Sequence, residues 1–404
     1  MRFRLVMLGA AVAALTAIAV TPAASADPID RYRWTEVTAA PGWQARAGLQ
    51  AVELGGAFLV LGGRTPTAPP PGESVVPGAS TIWSDVWRSR DRGATWARIL
   101  ETGGAHWPAR AYFQAVVKDG YVYVLGGQDF SVVPNPGCAA QPQPCTLPPV
   151  PASTFFNDVW RSRDGATWER MTAAAPWAGR AGLSAVAYRG ELWVLGGSRN
   201  DDSAIVGTGA PARQYFNDVW RSKDGRTWTR ATARAPWAPR AGGVAAVKDG
   251  YLWLLGGEDG FICDPNRPNR CPPYFNDVWR SKDGKRWTRV TASAGWSPRP
   301  GHQCAVVIGR FVCFGGFGLP QNLLGPSVNP MDVWSSTNGR TWTKAKQRPW
   351  NATTPSAVKY DFDAFASRGA IFTFGGDRET FNFADPLNPT RIDDDVWRFA
   401  PPGR

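Results

Sequence analysis

Six basic residues at one recurring spacing offer the first chemistry in this chain. Arg46, Arg110, Arg180, Arg240, Arg299 and Lys359 each stand sixteen residues before a Gly-Gly pair, which opens at Gly62, Gly126, Gly196, Gly256, Gly315 or Gly375. A planar guanidinium holds carboxylate, sulfate or phosphate through two parallel hydrogen bonds. Gathered at one place, these six would make a positive rim for an anionic group. They would serve equally as locks, each pairing with a carboxylate of its own repeat. Departures from the repeat give further binding candidates. Two positions after the basic residue, four copies have Gly, but copy two has Tyr112 and copy six has Asp361. One position further on, copy five has His302. A His–carboxylate pair can do acid–base work, and His302 and Asp361 belong to neighbouring copies. Tyr360 and Asp363 are other irregularities of copy six. Simple drift of the repeat would produce the same departures.

The elements that must position these residues follow from the repetition itself. Successive basic residues are 64, 70, 60, 59 and 60 positions apart. After each Gly-Gly comes an Asp-Val-Trp triplet, beginning at Asp85, Asp158, Asp218, Asp277, Asp332 or Asp395. A short turn ending in Trp follows, as in SRDRGATW, SRDGATW and STNGRTW. Each unit reads as four antiparallel strands, a to d. A turn such as Asp119-Gly120 joins a to b, because both central positions of a tight hairpin need positive φ. Strand b is nearly all apolar, which fits burial on both faces, and c carries the Asp-Val-Trp triplet. Copy six stops without its strand d. Residues 30–38, DRYRWTEVT, match the missing piece, so the N-terminal segment is expected to add the outer strand of the last unit and close a ring. Closure removes exposed strand edges.

Six such copies, each with Gly-Gly ending strand b and a Trp opening strand d, resemble a six-bladed Kelch-type β-propeller over residues 30 to about 400. The expected fold is therefore all-β. The turns between c and d also resemble the Asp-box of sialidase-type propellers, with Ser89 to Trp96 fitting S-x-D-x-G-x-T-W in full. The resemblance implies rim arginines that hold acidic peptides in some Kelch domains. It also brings in sialic acid epimerases and sialidases as enzyme models, and a copper radical enzyme of the galactose-oxidase kind. The last needs two Tyr and two His on copper. This chain has only His106 and His302, no Tyr-His dipeptide and no spare Cys, so no metal or other cofactor is expected.

Composition bounds the setting. The 404 residues include 21 Trp, 44 Gly and 35 Pro, and the net charge is +12. Residues 1–26 read as a secretory signal peptide, with Arg2 and Arg4 ahead of an apolar run and Ala24-Ser25-Ala26 at the cleavage point. The propeller would then occupy 27–404, in a secreted or periplasmic protein. The six Cys form three local pairs, 138–145, 263–271 and 304–313, each expected as a disulfide, with packed free thiols as the alternative for the third. Antiparallel order puts the long, Pro-rich b–c loops on one face and the tight a–b and c–d turns on the other. Variable loops on a rigid scaffold usually carry binding. The reading is a monomeric secreted binding protein. Its partner would be a glycan, an acidic peptide or a cell-surface polymer at the channel mouth. No nucleic acid is expected, and no membrane contact after signal cleavage. A sugar-active enzyme is the alternative.

Overall fold

The computed structural model describes residues 27–403, except 68–78, 141–146, 148–149, 202–210, 264–267, 321–324, 381, 383–384 and 386. The expected signal segment and Cys145 lie outside the described residues.

Six four-stranded antiparallel sheets surround a central channel as the blades of a propeller. Blade 1 runs outward from Gln50–Leu54 (a) through Ala57–Pro66 (b) and Ser80–Ser89 (c) to Ala97–Leu100 (d). In blade 6, Asp363–Ser367, Ala370–Asp377 and Ile392–Ala400 are completed by Arg33–Thr38 from the other end of the chain. Arg33 pairs with Ala400 and Trp34 with Phe399, closing the ring as expected. The a–b hairpins turn on left-handed residues, with Asp119 at φ 51° and Gly120 at 74°.

Neighbouring blades meet through Trp pairs. The Trp that opens strand d packs on the Trp of the connection that leads into the same blade. Rings of Trp43 and Trp96, Trp107 and Trp168, Trp177 and Trp228, Trp237 and Trp287, and Trp296 and Trp342 stand edge-on at 4.5–6.1 Å between centroids. Trp34 and Trp350 make the sixth pair across the closure at 5.6 Å. Such contacts add to the burial of two large apolar surfaces.

The c–d turns are held by their own side chains. In blade 4, Ser281 Oγ accepts from Gly284 N–H, and Asp283 Oδ1 accepts from Lys285 and Arg286 N–H. Burial works against ionisation of Asp283, but these donors prevail and hold its carboxyl down at about 2. Among the described residues two disulfides have both partners, Cys263–Cys271 and Cys304–Cys313. Cys304 faces Cys313 across the strand a–b ladder of blade 5.

The b–c loops are more ordered than their composition suggests. In blade 1, strands b and c extend beyond Gly-Gly as far as Pro66 and Ser80. Two-stranded ribbons join Val132–Val133 to Val150–Pro151 and Ser198–Arg199 to Gln214–Tyr215. Pro66 stands at the end of its ribbon, where a missing N–H is tolerated.

Candidate functional site

The channel encloses about 680 Å3 and is lined by the six inner strands. Two belts hold it. The first is backbone. Gly48, Tyr112, Gly182, Gly242, Gly301 and Asp361 all lie in the left-handed region, with φ between 50° and 64°. Gly48 N–H donates to Asp361 C=O, Tyr112 to Gly48, Gly182 to Tyr112, Gly242 to Gly182, and Asp361 to Gly301, at 2.9–3.0 Å. Each link joins consecutive blades, so the belt runs around the mouth on the b–c side. The second belt lies two residues deeper and uses side chains. Gln50 accepts from Ala115 N–H, Gln114 from Ala185 N–H, and Asp363 from Ala51 N–H, again blade to blade. Burial pushes the Asp363 carboxyl up to about 7, against the pull of the Ala51 and Ala364 N–H donors.

The six basic residues sit beneath the mouth, fully buried. Arg180 is representative. Its Nε donates to Ala178 C=O, its Nη1 to Gly196 C=O and Asp218 Oδ1, and its Nη2 to Asp218 Oδ2. Arg46, Arg110 and Arg240 pair in the same way with Asp85, Asp158 and Asp277. Arg299 reaches Asp332 with one nitrogen and Ser297 with the other. Lys359 bridges Asp393 and Asp395. Phe216 lies flat against the Arg180 guanidinium at 3.9 Å, and Phe156 and Phe275 cover Arg110 and Arg240 likewise. Each cation thus ties strand a to strand c within its own blade.

His302 is also inside. Its ring packs tilted against Trp296 at 5.0 Å between centroids, and Nδ1 meets the Arg299 carbonyl at 3.1 Å. Burial first, and then the Arg299 charge, push the imidazole down to about 3. His302 fills the place that Leu49, Leu183 and Phe362 fill in other blades, against the Gly-Gly of the preceding blade. Asp361 instead stands over Gly301, whose Cβ position is 2.6 Å from its Oδ1. The two residues are thus adjacent in the ring of blades but turned to different surroundings.

Tyr112 and Asp361 come together with residues that the repeat comparison did not single out. The Tyr112 ring lies over Gly48 and reaches blade 1, where its hydroxyl accepts from Arg64 Nε at 3.1 Å. Arg64 Nη2 donates to Asp377 at 2.6 Å and to Glu379 at 2.9 Å, both from blade 6. Phe130 flanks the group, 5.7 Å from the Tyr112 ring and 5.6 Å from the guanidinium. Tyr360 closes it below, donating to Glu379 C=O at 3.0 Å. Tyr112, Arg64, Phe130, Asp361 and Glu379 are partly exposed, whereas Asp377 and Tyr360 are buried. One guanidinium thus meets two carboxyl groups, with Asp361 near the Tyr112 phenol; burial, and then the Glu379 charge, hold the Asp377 carboxyl well above its ordinary value against the pull of Arg64. Burial holds the Tyr112 phenol well above its usual value; Arg64 opposes this, and Asp361 and Asp377 reinforce it.

A signal for Arg64 and Asp377 does exist in the chain. The residue after Gly-Gly is different in every copy: Arg64, Gln128, Ser198, Glu258, Phe317 and Asp377.

Together the fold and this mouth define a six-bladed β-propeller with an asymmetric polar site at one end of its channel. No family model matches the chain, and no curated protein does. Among solved structures, that of YjhT is similar over 87% of this chain and 94% of its own, with a TM-score of 0.59 and 14% identity. That likeness is one of fold.

Proposed function

We propose that the chain is a binding module that takes a hydroxyl-rich sugar at the channel mouth, between blades 6, 1 and 2. The observation that carries this reading is the backbone at Tyr112 and Asp361. Both hold a left-handed conformation that four other copies give to Gly. A non-Gly residue there costs on the order of 1 kcal/mol or more, and such strain tends to gather at functional sites. Both side chains point into one polar group with Arg64 and Glu379. Carboxylates accept from sugar hydroxyls, the guanidinium donates to them, and the Tyr112 and Phe130 rings offer apolar faces to a pyranose. The six buried cations play no part in this reading, because each is engaged within its blade. The carboxyl groups of Asp361, Asp377 and Glu379 accept from or donate to hydroxyls, which favours a neutral sugar over an anionic group.

A glycan array of neutral and sialylated sugars tests it, using the wild type and the variants Tyr112→Gly and Asp361→Gly. Both variants restore the residue that most copies carry. Binding of a neutral glycan that drops at least tenfold in both variants supports the site. Binding that ignores both substitutions removes it. The sugar-active enzyme is less favoured, because the raised Tyr112 phenol is a poor nucleophile. Steady turnover of a sialoside would reverse that preference.

A further inference from the structure

The opposite face of the ring carries a different charge. The five c–d turns, residues 88–96, 161–168, 221–228, 280–287 and 335–342, hold thirteen Arg and Lys against four Asp. Blades 1 to 4 contribute twelve of the thirteen, and blade 5 only Arg340. That surplus of nine compares with a net charge of +12 for the whole chain, so the charge is concentrated on one arc. The four Asp are tied to turn amides, as described for Asp283. Some arginines pair with carboxylates, Arg161 and Arg226 with Glu169, and Arg221 with Glu191. Arg163, Lys223, Lys282 and Lys285 have no carboxylate partner among the described residues, and all four are exposed.

The cations are also ordered. Arg161 and Arg163 both lie over the Tyr121 ring, at 4.4 and 4.3 Å. Arg280 and Lys282 repeat this over Tyr251, at 4.5 and 5.2 Å. Arg221 lies over Trp193 at 5.9 Å. Each c–d turn tucks against the preceding blade: Gly225 meets Tyr123 and Gly284 meets Trp193. The arc is therefore continuous from blade to blade, with one cluster of cations per blade.

We propose that this arc is a docking surface for a linear phosphate polymer without bases. A repeating cation cluster suits a repeating anion, and most of the cluster is Arg, whose fork fits phosphate oxygens in pairs. Bases are disfavoured because Tyr121, Trp193 and Tyr251 are already covered by the cations of this face, which takes those rings out of use as stacking surfaces. Docking here would leave the carboxylate-rich mouth on the other face directed away from the polymer and open to its own ligand.

The test is fluorescence anisotropy of labelled long-chain inorganic polyphosphate against residues 27–404 over a salt series. Log affinity is expected to fall linearly with log salt, by about 0.7–0.9 for each phosphate neutralised. The variant Arg163→Glu/Lys223→Glu/Lys282→Glu changes exposed side chains only and is expected to lose at least tenfold in affinity, with a shallower salt slope. Arg270→Glu, on the mouth face, and Tyr112→Gly are expected to leave binding unchanged. Four outcomes would overturn the proposal: a flat salt dependence, loss through Arg270→Glu with no loss through the triple variant, tighter binding to oligo-dT or heparin of equal charge, or preference for anionic lipid vesicles over polyphosphate.

Discussion

At the scale of single residues, the recurring Arg and its Asp show how one motif supports both a functional and an architectural reading. The spacing is the same in either case. What separates them is burial: Arg180 has 1% of its side chain exposed, and each of its three nitrogens donates within the blade. Removing Asp218 would leave a cation without its counter-ion in a closed interior. Asp218→Ala is expected to destabilise the fold by about 3–5 kcal/mol, read as a shift of the denaturant midpoint. A loss under 1 kcal/mol would mean that water reaches Arg180. Tyr112→Gly is the opposite kind of change. It relieves a left-handed Tyr, so its melting temperature should equal or exceed the wild-type value while sugar binding falls. A large drop in melting temperature would make Tyr112 a structural residue.

At the scale of elements, the c–d turn gives a built-in comparison. Blades 1 to 4 use an Asp at its centre, and blade 5 uses Asn338, which accepts from Arg340 and Thr341 N–H in the same geometry. The Asp carboxyls are held below their ordinary value, as seen at Asp91, Asp164, Asp224 and Asp283. A carboxyl whose pKa is lower in the folded chain adds stability above its unfolded value near 4. It loses that contribution as pH falls through the folded value, about 2 for Asp283. Asp283→Asn copies blade 5 and does not titrate. Thermal melts from pH 5 to pH 2 should therefore fall less steeply in this variant than in the wild type. Parallel slopes would contradict the role of the carboxylate. The blade elements were readable in the chain because hairpin turns, apolar strands and Asp-Val-Trp recur in register. The ribbons in the b–c loops were not, because two-residue pairings leave no periodic pattern.

At the scale of the whole molecule, the ring must close between blade 6 and blade 1. Arg33–Thr38 does this at the outer edge, the Trp43–Trp96 pair between the blades, and Asp363 at the channel. Asp363 makes closure sensitive to pH. Its folded pKa, about 7, is above the unfolded value, so folding favours the protonated form. Its contribution is fully present below about pH 4, declines as pH rises to 7, and is constant above that. Asp363→Asn should match the wild-type melting temperature near pH 4.5 and gain on it at pH 8. A difference that stays constant over this range would show that the two N–H donors keep the carboxyl ionised throughout.

The amino-acid sequence by itself determined the blade count, the strand order, the ring closure and the pairs Cys263–Cys271 and Cys304–Cys313. These depend on local pattern and on repetition, both of which survive in one dimension. It also marked Tyr112 and Asp361 as exceptions. Only the tertiary structure decided what those exceptions do. Arg64 lies more than 300 positions from Asp377 and Glu379 in the chain, and they meet because the ring brings its last blade against its first. Burial settled the rest. Six cations that recur as a rim lie under the surface with their counter-ions, and His302 packs as a core residue, because charge and contact at a channel depend on depth, which spacing along a chain does not record.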